Sequence, residues 1–290
     1  MDYLLHILIL VCIYSVLAVS LDLLAGHTGL LSMAHGAFYG LGAYTSALLA
    51  LRLGSPFLVG TLLGMLVGAL LSLVVSLPSL RLRGDYFVIA TFGFQMIVWG
   101  VFNNWTEVTR GPLGIPGIPQ PAVFGWVIKS HAGFMVLAAL LAVLAHWVVG
   151  RITGSPFGRV LRAIREDELL AQSLGKNVFR FKVSAFAVSA ALAAMAGSLY
   201  AHYVTFIDPT SFTVMESILV ISMVIIGGAG SPWGPLIGTT MLVVLPEALR
   251  FLGFPSSVAA NMRQIFYGVL LVVMMMGRPR GLVGRYGFSR

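Results

Sequence analysis

The sequence predicts an all-α integral membrane protein, a polytopic helical bundle of about eight to ten transmembrane helices. Of its 290 residues, 58% are hydrophobic and only 10% are charged, and the mean hydropathy is +0.95. Soluble domains carry about 25% charged residues, so this chain has too few charges to cover a surface that faces water. Long apolar runs recur along the chain, and glycine-rich breaks interrupt several of them.

A helix that crosses a membrane needs about 20 mostly apolar residues. The last three candidate segments are short or rich in glycine and proline, so their ends are poorly defined. All candidates belong to one membrane domain that covers residues 1–290. The nine candidate spans are 4–24, 32–51, 57–77, 86–102, 132–149, 181–203, 214–229, 233–250 and 262–277.

The basic residues indicate which loops face the cytoplasm, because cytoplasmic loops carry an excess of Lys and Arg. Thirteen of the 18 Lys and Arg lie in three blocks, 81–83, 151–182 and 278–290. With nine spans, all three blocks fall on the same side of the membrane. We therefore expect an external N-terminus, an internal loop over 150–180, an internal basic tail over 278–290, and an external proline-rich loop over 103–130.

Several function classes are excluded by composition and motifs. The net charge of +8 does not indicate nucleic-acid binding, because the basic residues lie between spans and form no stripe with interleaved aromatic residues. Cys12 is the only cysteine, so it can form no intrachain disulfide. The chain has no GxxxxGKS/T phosphate loop and no HExxH or GxSxG motif. We expect no enzymatic activity, no metal site and no ATP site on this chain.

The internal loop 150–180 is predicted to contain two short amphipathic helices. Ser155 and Pro156 are a helix start, with Ser as N-cap and Pro in the first turn. A break is expected near Asp167, and Gly175 is placed to end the second helix. Two interpretations stay open: a helix that rests on the membrane surface, or an element held by a soluble partner. The apolar stripe consists of Phe157, Val160, Leu161, Ile164, Ala171 and Leu174.

Two glycine-rich segments interrupt the apolar runs, one early at 26–44 and one late at 227–235. Small residues allow close helix packing in lipid, which is one interpretation. Broken helices also expose backbone groups to a substrate, so a pair of such segments in the two halves of a chain points to a translocation path. The candidate path residues are Gly26, Gly29, Ser32, His35, Gly36, Tyr39, Gly42, Tyr44, Gly227, Gly228 and Gly230.

Acidic residues near the spans are few: Asp22, Asp85, Glu216 and Glu247. Each lies close to a predicted span end, where water or an arginine is expected to reach it, because a charge at a helix centre is costly. No chain of buried carboxylates is visible, which argues against a proton-driven carrier.

Four blocks of the sequence resemble the permease subunits of branched-chain amino-acid ABC transporters, and in particular the M-type, LivM-like subunit. The first block runs from Ala25 to Tyr44 and the second from Arg81 to Thr91. The third runs from Gly158 to Glu166, and the fourth from Ile226 to Pro235. They occur in the family's order and together cover the chain from about residue 25 to 280.

The resemblance implies a complete importer in the bacterial inner membrane, with a periplasmic N-terminus and a cytoplasmic C-terminus. Its partners would be two ATPase subunits, which bind ATP and magnesium, a second permease of the H-type, a periplasmic substrate-binding protein and membrane lipid. No cofactor would be bound by this chain. The cytoplasmic coupling helix would contact the ATPase through Gly158, Arg159, Arg162, Ala163, Arg165, Glu166, Asp167, Glu168 and Gly175.

The coupling segment departs from the general importer consensus, because Glu168-Leu169-Leu170-Ala171 stands where two alanines are expected. The function that the resemblance implies is inward translocation, by alternating access, of branched-chain amino acids or a related small amino acid or amide. The alternative from the residues alone is an ion- or proton-coupled secondary carrier of small polar solutes. A membrane scaffold subunit with no path of its own is a third hypothesis.

Overall fold

A computed structural model describes residues 2–80, 84–123, 126–250, 265, 268–274, 276–278 and 281–284. Three predictions therefore lie wholly or partly outside the described residues. These are the basic block at 81–83, the ninth span at 262–277 and the basic tail at 278–290.

The described chain is almost entirely helical, which confirms the predicted fold class. The helices are α1 (Asp2–Thr28), α2 (His35–Leu53), α3 (Phe57–Ser79), α4 (Asp85–Asn104), α5 (Thr106–Thr109), α6 (His131–Gly154), α7 (Pro156–Glu166), α8 (Glu168–Ser173), α9 (Val178–Val204), α10 (Val214–Gly227) and α11 (Gly234–Arg250). Short 3-10 turns occupy Gly111–Leu113 and Pro209–Phe212. Two-residue strands pair as β1 (Ile115–Pro116) with β4 (Phe206–Ile207) and β2 (Ala122–Val123) with β3 (Trp126–Val127), both antiparallel.

Five of these helices are long and apolar enough to cross a membrane: α1, α3, the Tyr86–Asn104 part of α4, α6 and α9. Helix α2 has 19 residues, most of them buried in the bundle. Helix α10 has 14 residues and α11 has 17. At 1.5 Å per residue α10 is about 21 Å long, which is shorter than the roughly 30 Å hydrocarbon layer. The segment predicted as a full span at 214–229 is thus a shorter helix.

The centre of the bundle is formed by α2, α3 and α9, which approach closely through glycine. A Cβ added at Gly42 would overlap the backbone of Ala194, and one added at Gly197 would overlap the carbonyl of Tyr39. A Cβ at Gly64 would lie 3.3 Å from Gly42. Small residues permit such contact between backbones, and helices in lipid associate mainly through close packing and interhelical hydrogen bonds.

The two ends of the bundle differ in structure. At one end lie the C-terminus of α3, the helices α7 and α8, and the segment 281–283, whose residues Leu282 and Val283 donate backbone hydrogen bonds to the end of α10. At the other end lie both β-pairs and the loop 103–130. His202 of α9 anchors this loop, since its Nδ1 lies 2.7 Å from the carbonyl oxygen of Pro119. The described parts of the basic blocks 151–182 and 278–290 therefore share one end.

Two helices begin half way through the bundle. His35, the first residue of α2, lies 3.0 Å from the hydroxyl of Ser189. Ser189 is about 17 Å along α9 from its first residue and about 23 Å from its last. The backbone N–H of Gly36 donates to Ser217 Oγ at 2.8 Å, so α10 also starts near this depth. The irregular connections before these helices are tolerated because protein surrounds them.

Candidate functional site

The hairpin of α7 and α8 is stabilised by caps at each turn. The hydroxyl of Ser155 accepts a hydrogen bond from the N–H of Gly158 at 3.4 Å. Asp167 separates α7 from α8, and its carboxylate accepts a hydrogen bond from the N–H of Leu170 at 3.0 Å. Gly175 adopts φ +76° directly after α8, a conformation that favours glycine. The predicted start, break and end of the two helices are therefore confirmed.

One face of the hairpin is buried and the other is exposed. Leu161, Ile164 and Ala171 are buried against the bundle, as their spacing predicts. Leu174 is 70% exposed, so its assignment to this apolar stripe is wrong; it follows α8 where the chain turns away from the bundle. Leu169 and Leu170 are 74% and 58% exposed. The sequence analysis did not predict that these two leucines are exposed. The signal that could have identified them is their position in the segment Glu168-Leu169-Leu170-Ala171, where two alanines are expected.

The predicted coupling residues lie on different faces of the hairpin. Glu168 is exposed, and its carboxylate pairs with the Lys182 ammonium at 2.7 Å. Gly158 is buried against the backbone of Thr153. The guanidinium of Arg162 donates to the Thr153 carbonyl at 2.9 Å, so it attaches α7 to the end of α6. The exposed members of the set are Arg159, Ala163, Glu166, Asp167, Glu168 and Gly175.

Arg165 joins the hairpin to both glycine-rich segments. Its guanidinium donates to the carbonyl of Gly26 near the end of α1. The Asp22 carboxylate, one turn earlier on α1 and 2% exposed, accepts from the N–H of Gly230 at 2.8 Å. His27 Nε2 lies 3.7 Å from the same carboxylate. We call Asp22, Gly26, Arg165 and Gly230 the α7 junction. It brings together segments that are more than 100 residues apart.

Electrostatics hold the junction together. Burial lowers the pKa of the Arg165 guanidinium, while the carboxylates of Glu166 and Asp22 act in the opposite direction. Gly29, which follows Gly26 by three residues, adopts φ +74°. A Cβ added to Gly29 would lie 3.0 Å from Cγ of Arg165. The Arg165 guanidinium therefore links α7 to the end of α1, close to the buried Asp22 carboxylate.

The other path candidates lie inside the packed bundle of this chain. Ser32 Oγ accepts from the N–H of Ala34 at 3.2 Å, and His35 contacts Ser189. Tyr39 and Tyr44 belong to an aromatic cluster with Phe212. A Cβ added at Gly227 would overlap the backbone of Gly234, and Gly228 adopts φ +108° between α10 and α11. Within the part of the chain that the structure describes, no group of three His, Cys, Asp or Glu could hold a metal ion.

These features define a class of protein. Apolar helices cross the membrane several times, two of them begin half way through it, and an amphipathic hairpin outside the spans contacts the broken segments. This is the architecture of a multi-pass membrane transport subunit. The model of the family described as "Branched-chain amino acid transport system / permease component" matches residues 3–275. The chain belongs to this family, so it is a transport subunit of ABC importers and not an enzyme.

Relatives within the family extend the match over almost the whole chain. The high-affinity branched-chain amino acid transport system permease protein LivM of Salmonella typhimurium is 38% identical over 93% of this chain and 68% of its own length. LivM of Escherichia coli is 37% identical over 94% of this chain and 68% of its own length. LivH of Salmonella typhimurium is 24% identical over 94% of this chain and 91% of its own length. No solved structure matches the chain significantly.

Proposed function

We propose that this chain is the M-type permease of an ATP-driven importer in the bacterial inner membrane, and that it carries branched-chain amino acids inward by alternating access. The observation that carries this proposal is the α7–α8 hairpin: a rigidly capped element outside the spans that contacts the broken segments. The family and the names of the LivM relatives support the substrate class.

The exposed face of the hairpin is the surface that we assign to a partner ATPase. Leu169, Leu170 and Leu174 form an apolar patch on a short element otherwise rich in charge. Isolated exposed leucines are common on protein surfaces, but a contiguous apolar group bordered by charges is typical of an interaction site. Glu166, Asp167 and Arg159 border it and would set the orientation of the partner.

The transmission route that we propose runs through the α7 junction. Closure of the ATPases would displace the hairpin, and Arg165 would carry the displacement to Gly26 and α1. Asp22 would pass it to Gly230 and hence to the connection between α10 and α11. Each link is a hydrogen bond between described residues, so the route needs no additional contact.

The second permease is proposed to be a different chain of the H-type. The present chain is similar to both LivM and LivH proteins, at 38% and 24% identity respectively. The names of these relatives refer to branched-chain amino acid transport systems, and the stronger similarity to LivM supports the M-type position for this chain. A periplasmic binding protein would deliver the substrate to the end that carries the 103–130 loop.

Co-purification with transport tests the proposal. Extraction of a tagged chain in mild detergent should recover an ATPase, a second permease and a binding protein, and the reconstituted complex should import L-leucine only with ATP. Replacement of Leu169 and Leu170 by Asp should abolish ATPase recovery, while replacement of the exposed Leu62 on α3 by Ala should not. A chain that transports alone without ATP would contradict the importer assignment.

Proteolysis tests the proposed orientation. Trypsin added to inside-out vesicles should cleave at Arg159, which is exposed on α7. Right-side-out vesicles should protect this site, because trypsin does not cross the membrane. Arg110, exposed in the loop at the opposite end, is the matched control and should show the reverse pattern. Cleavage at Arg159 from the periplasmic side would contradict the orientation.

A further inference from the structure

Glu216 is a carboxylate in the first turn of α10, at the depth where this helix begins half way through the bundle. Its neighbour Ser217 binds the N–H of Gly36 on α2, which fixes its position. Met215 and Ile218 beside it are exposed, and Glu216 itself is partly exposed. A carboxylate on a lipid-facing surface is costly, and ionisable groups within spans face a protein interior or a water-filled cavity. The Glu216 carboxylate is therefore expected to face a protein interior or a water-filled cavity, not lipid.

The hydroxyl of Tyr14 on α1 donates a hydrogen bond to the Glu216 carboxylate. The ring of Tyr39 on α2 lies 6.5 Å from that of Tyr14, and it also packs against Tyr200 at 5.5 Å and Phe212 at 5.3 Å. Tyr14, which binds Glu216, thus belongs to a cluster of aromatic rings from three helices and from the irregular segment before α10.

Tyr39 is 1% exposed, and its hydroxyl has no hydrogen-bond partner among the described residues. An unmade hydrogen bond of a buried polar group costs about 1–3 kcal/mol, so such a group in a native protein needs an explanation. A phenylalanine would fill the same aromatic cluster without this cost. The hydroxyl is explained if a ligand atom meets it during transport.

We propose that Glu216, Tyr14 and Tyr39 bind the ammonium group of an amino acid in transit. An ammonium group donates three hydrogen bonds, and a carboxylate with phenolic oxygens supplies acceptors for them. The bond to the carboxylate is charge-assisted, and the tyrosine rings attract a cation through their faces. This inference rests on the proposed function only for the identity of the substrate. The cluster of Glu216, Tyr14 and Tyr39 would itself bind any small primary ammonium ion.

The first test is L-leucine uptake by the complete importer in proteoliposomes. Glu216→Gln keeps the side-chain size and the acceptor for Tyr14 but removes the charge, and should lower uptake at least tenfold. Tyr39→Phe deletes only the unpartnered hydroxyl and should lower uptake about threefold. Recovery of the partner subunits and the ATP hydrolysis stimulated by the binding protein should stay within twofold of wild type. Wild-type uptake by both variants would overturn the proposal.

Matched controls are available in the same chain. Asp2→Asn neutralises an exposed carboxylate at the start of α1, and Tyr203→Phe removes a hydroxyl that bonds to His6. Both should transport within twofold of wild type. If Glu216→Gln does not assemble, Tyr39→Phe alone tests the proposal, because this variant keeps the ring and its packing. Full uptake by Tyr39→Phe would then overturn the proposal.

The second test is independent of leucine transport. Isoamylamine carries an ammonium group and a branched chain without a carboxylate, and 4-methylpentanoate carries the reverse. Millimolar isoamylamine should raise the melting temperature of the purified wild-type complex, because a ligand that binds the native state stabilises it. The carboxylate should not, and Glu216→Gln should lose the shift. No shift with the amine would overturn the site, whereas a shift without leucine uptake by wild type would overturn the substrate alone.

Discussion

The centre of the bundle and the α7 junction are both rich in glycine, but glycine serves a different purpose in each. In the centre, Gly42 and Gly197 let the backbones of α2 and α9 touch, and little can change there without separating two helices. At the junction, Gly26 leaves room for the Asp22 carboxylate to reach the N–H of Gly230. The first region is held by backbone packing, and the second by a few polar contacts. The comparison teaches that close packing and polar linkage between helices occur at different depths of the bundle.

The largest effect is expected from Gly42→Ala in the centre. The new methyl group would overlap the backbone of Ala194, so α2 and α9 must separate. Overpacking of this kind costs about 1–3 kcal/mol, and backbone contact places the change at the upper end. Thermal unfolding in detergent measures it. Gly93→Ala on α4, where nothing lies within 4 Å, is the control and should be neutral or stabilising by up to about 1 kcal/mol. Equal stability of the two variants would remove the distinction between the regions.

A change at the junction should affect transport more than stability. Arg165→Gln removes the guanidinium that binds the Gly26 carbonyl, and should lower ATP-driven uptake about tenfold while the melting temperature and ATPase recovery change little. The exposed Arg159 of the same helix is the control, and Arg159→Gln should retain more than half of the uptake. If Arg165→Gln instead unfolded the protein, the junction would be part of the rigid region.

The smallest effect is expected at the cap of α8. Asp167→Ala loses the bond to the N–H of Leu170, which costs about 1 kcal/mol of local helix stability. Because α8 presents Leu169 and Leu170, we expect an affinity for the ATPase about fivefold lower, measured by titration in detergent. Asp167→Asn keeps a capping oxygen and should bind like wild type. Equal weakening by both variants would indicate that the charge, and not the cap, matters.

Local features of the fold follow from the sequence, and long-range features do not. The apolar runs predict the long helices, and Ser155, Asp167 and Gly175 predict the caps of the hairpin, because each depends on near neighbours. The position of Glu216 was expected near a span end. It is at the start of α10, but that start lies half way through the bundle, since the segment from Thr205 to Thr213 descends between helices.

The candidate site shows the same limit. The two glycine-rich segments were identified from composition, but their meeting at Arg165 depends on the packing of α1 against α7 and α10. Nothing local in the sequence distinguishes Arg165 from Arg159 or Arg162. Leu174 was misassigned because helical spacing was extended past Ser173, where α8 ends and the chain turns outward. The role of the path residues stays a prediction.

The burial of α1 has a consequence for biosynthesis. From Ser15 to Thr28 every residue of this helix is buried, and its neighbours are α6, α9, α10 and α11. Helix α1 is therefore synthesised before these partners, which all follow it along the chain. At about 5–20 residues per second, Arg250 follows Thr28 by roughly 10–45 s. During most of that interval Asp22 lacks the N–H of Gly230 that it binds in the folded chain, so this part of α1 acquires its native contacts only when the second half is made.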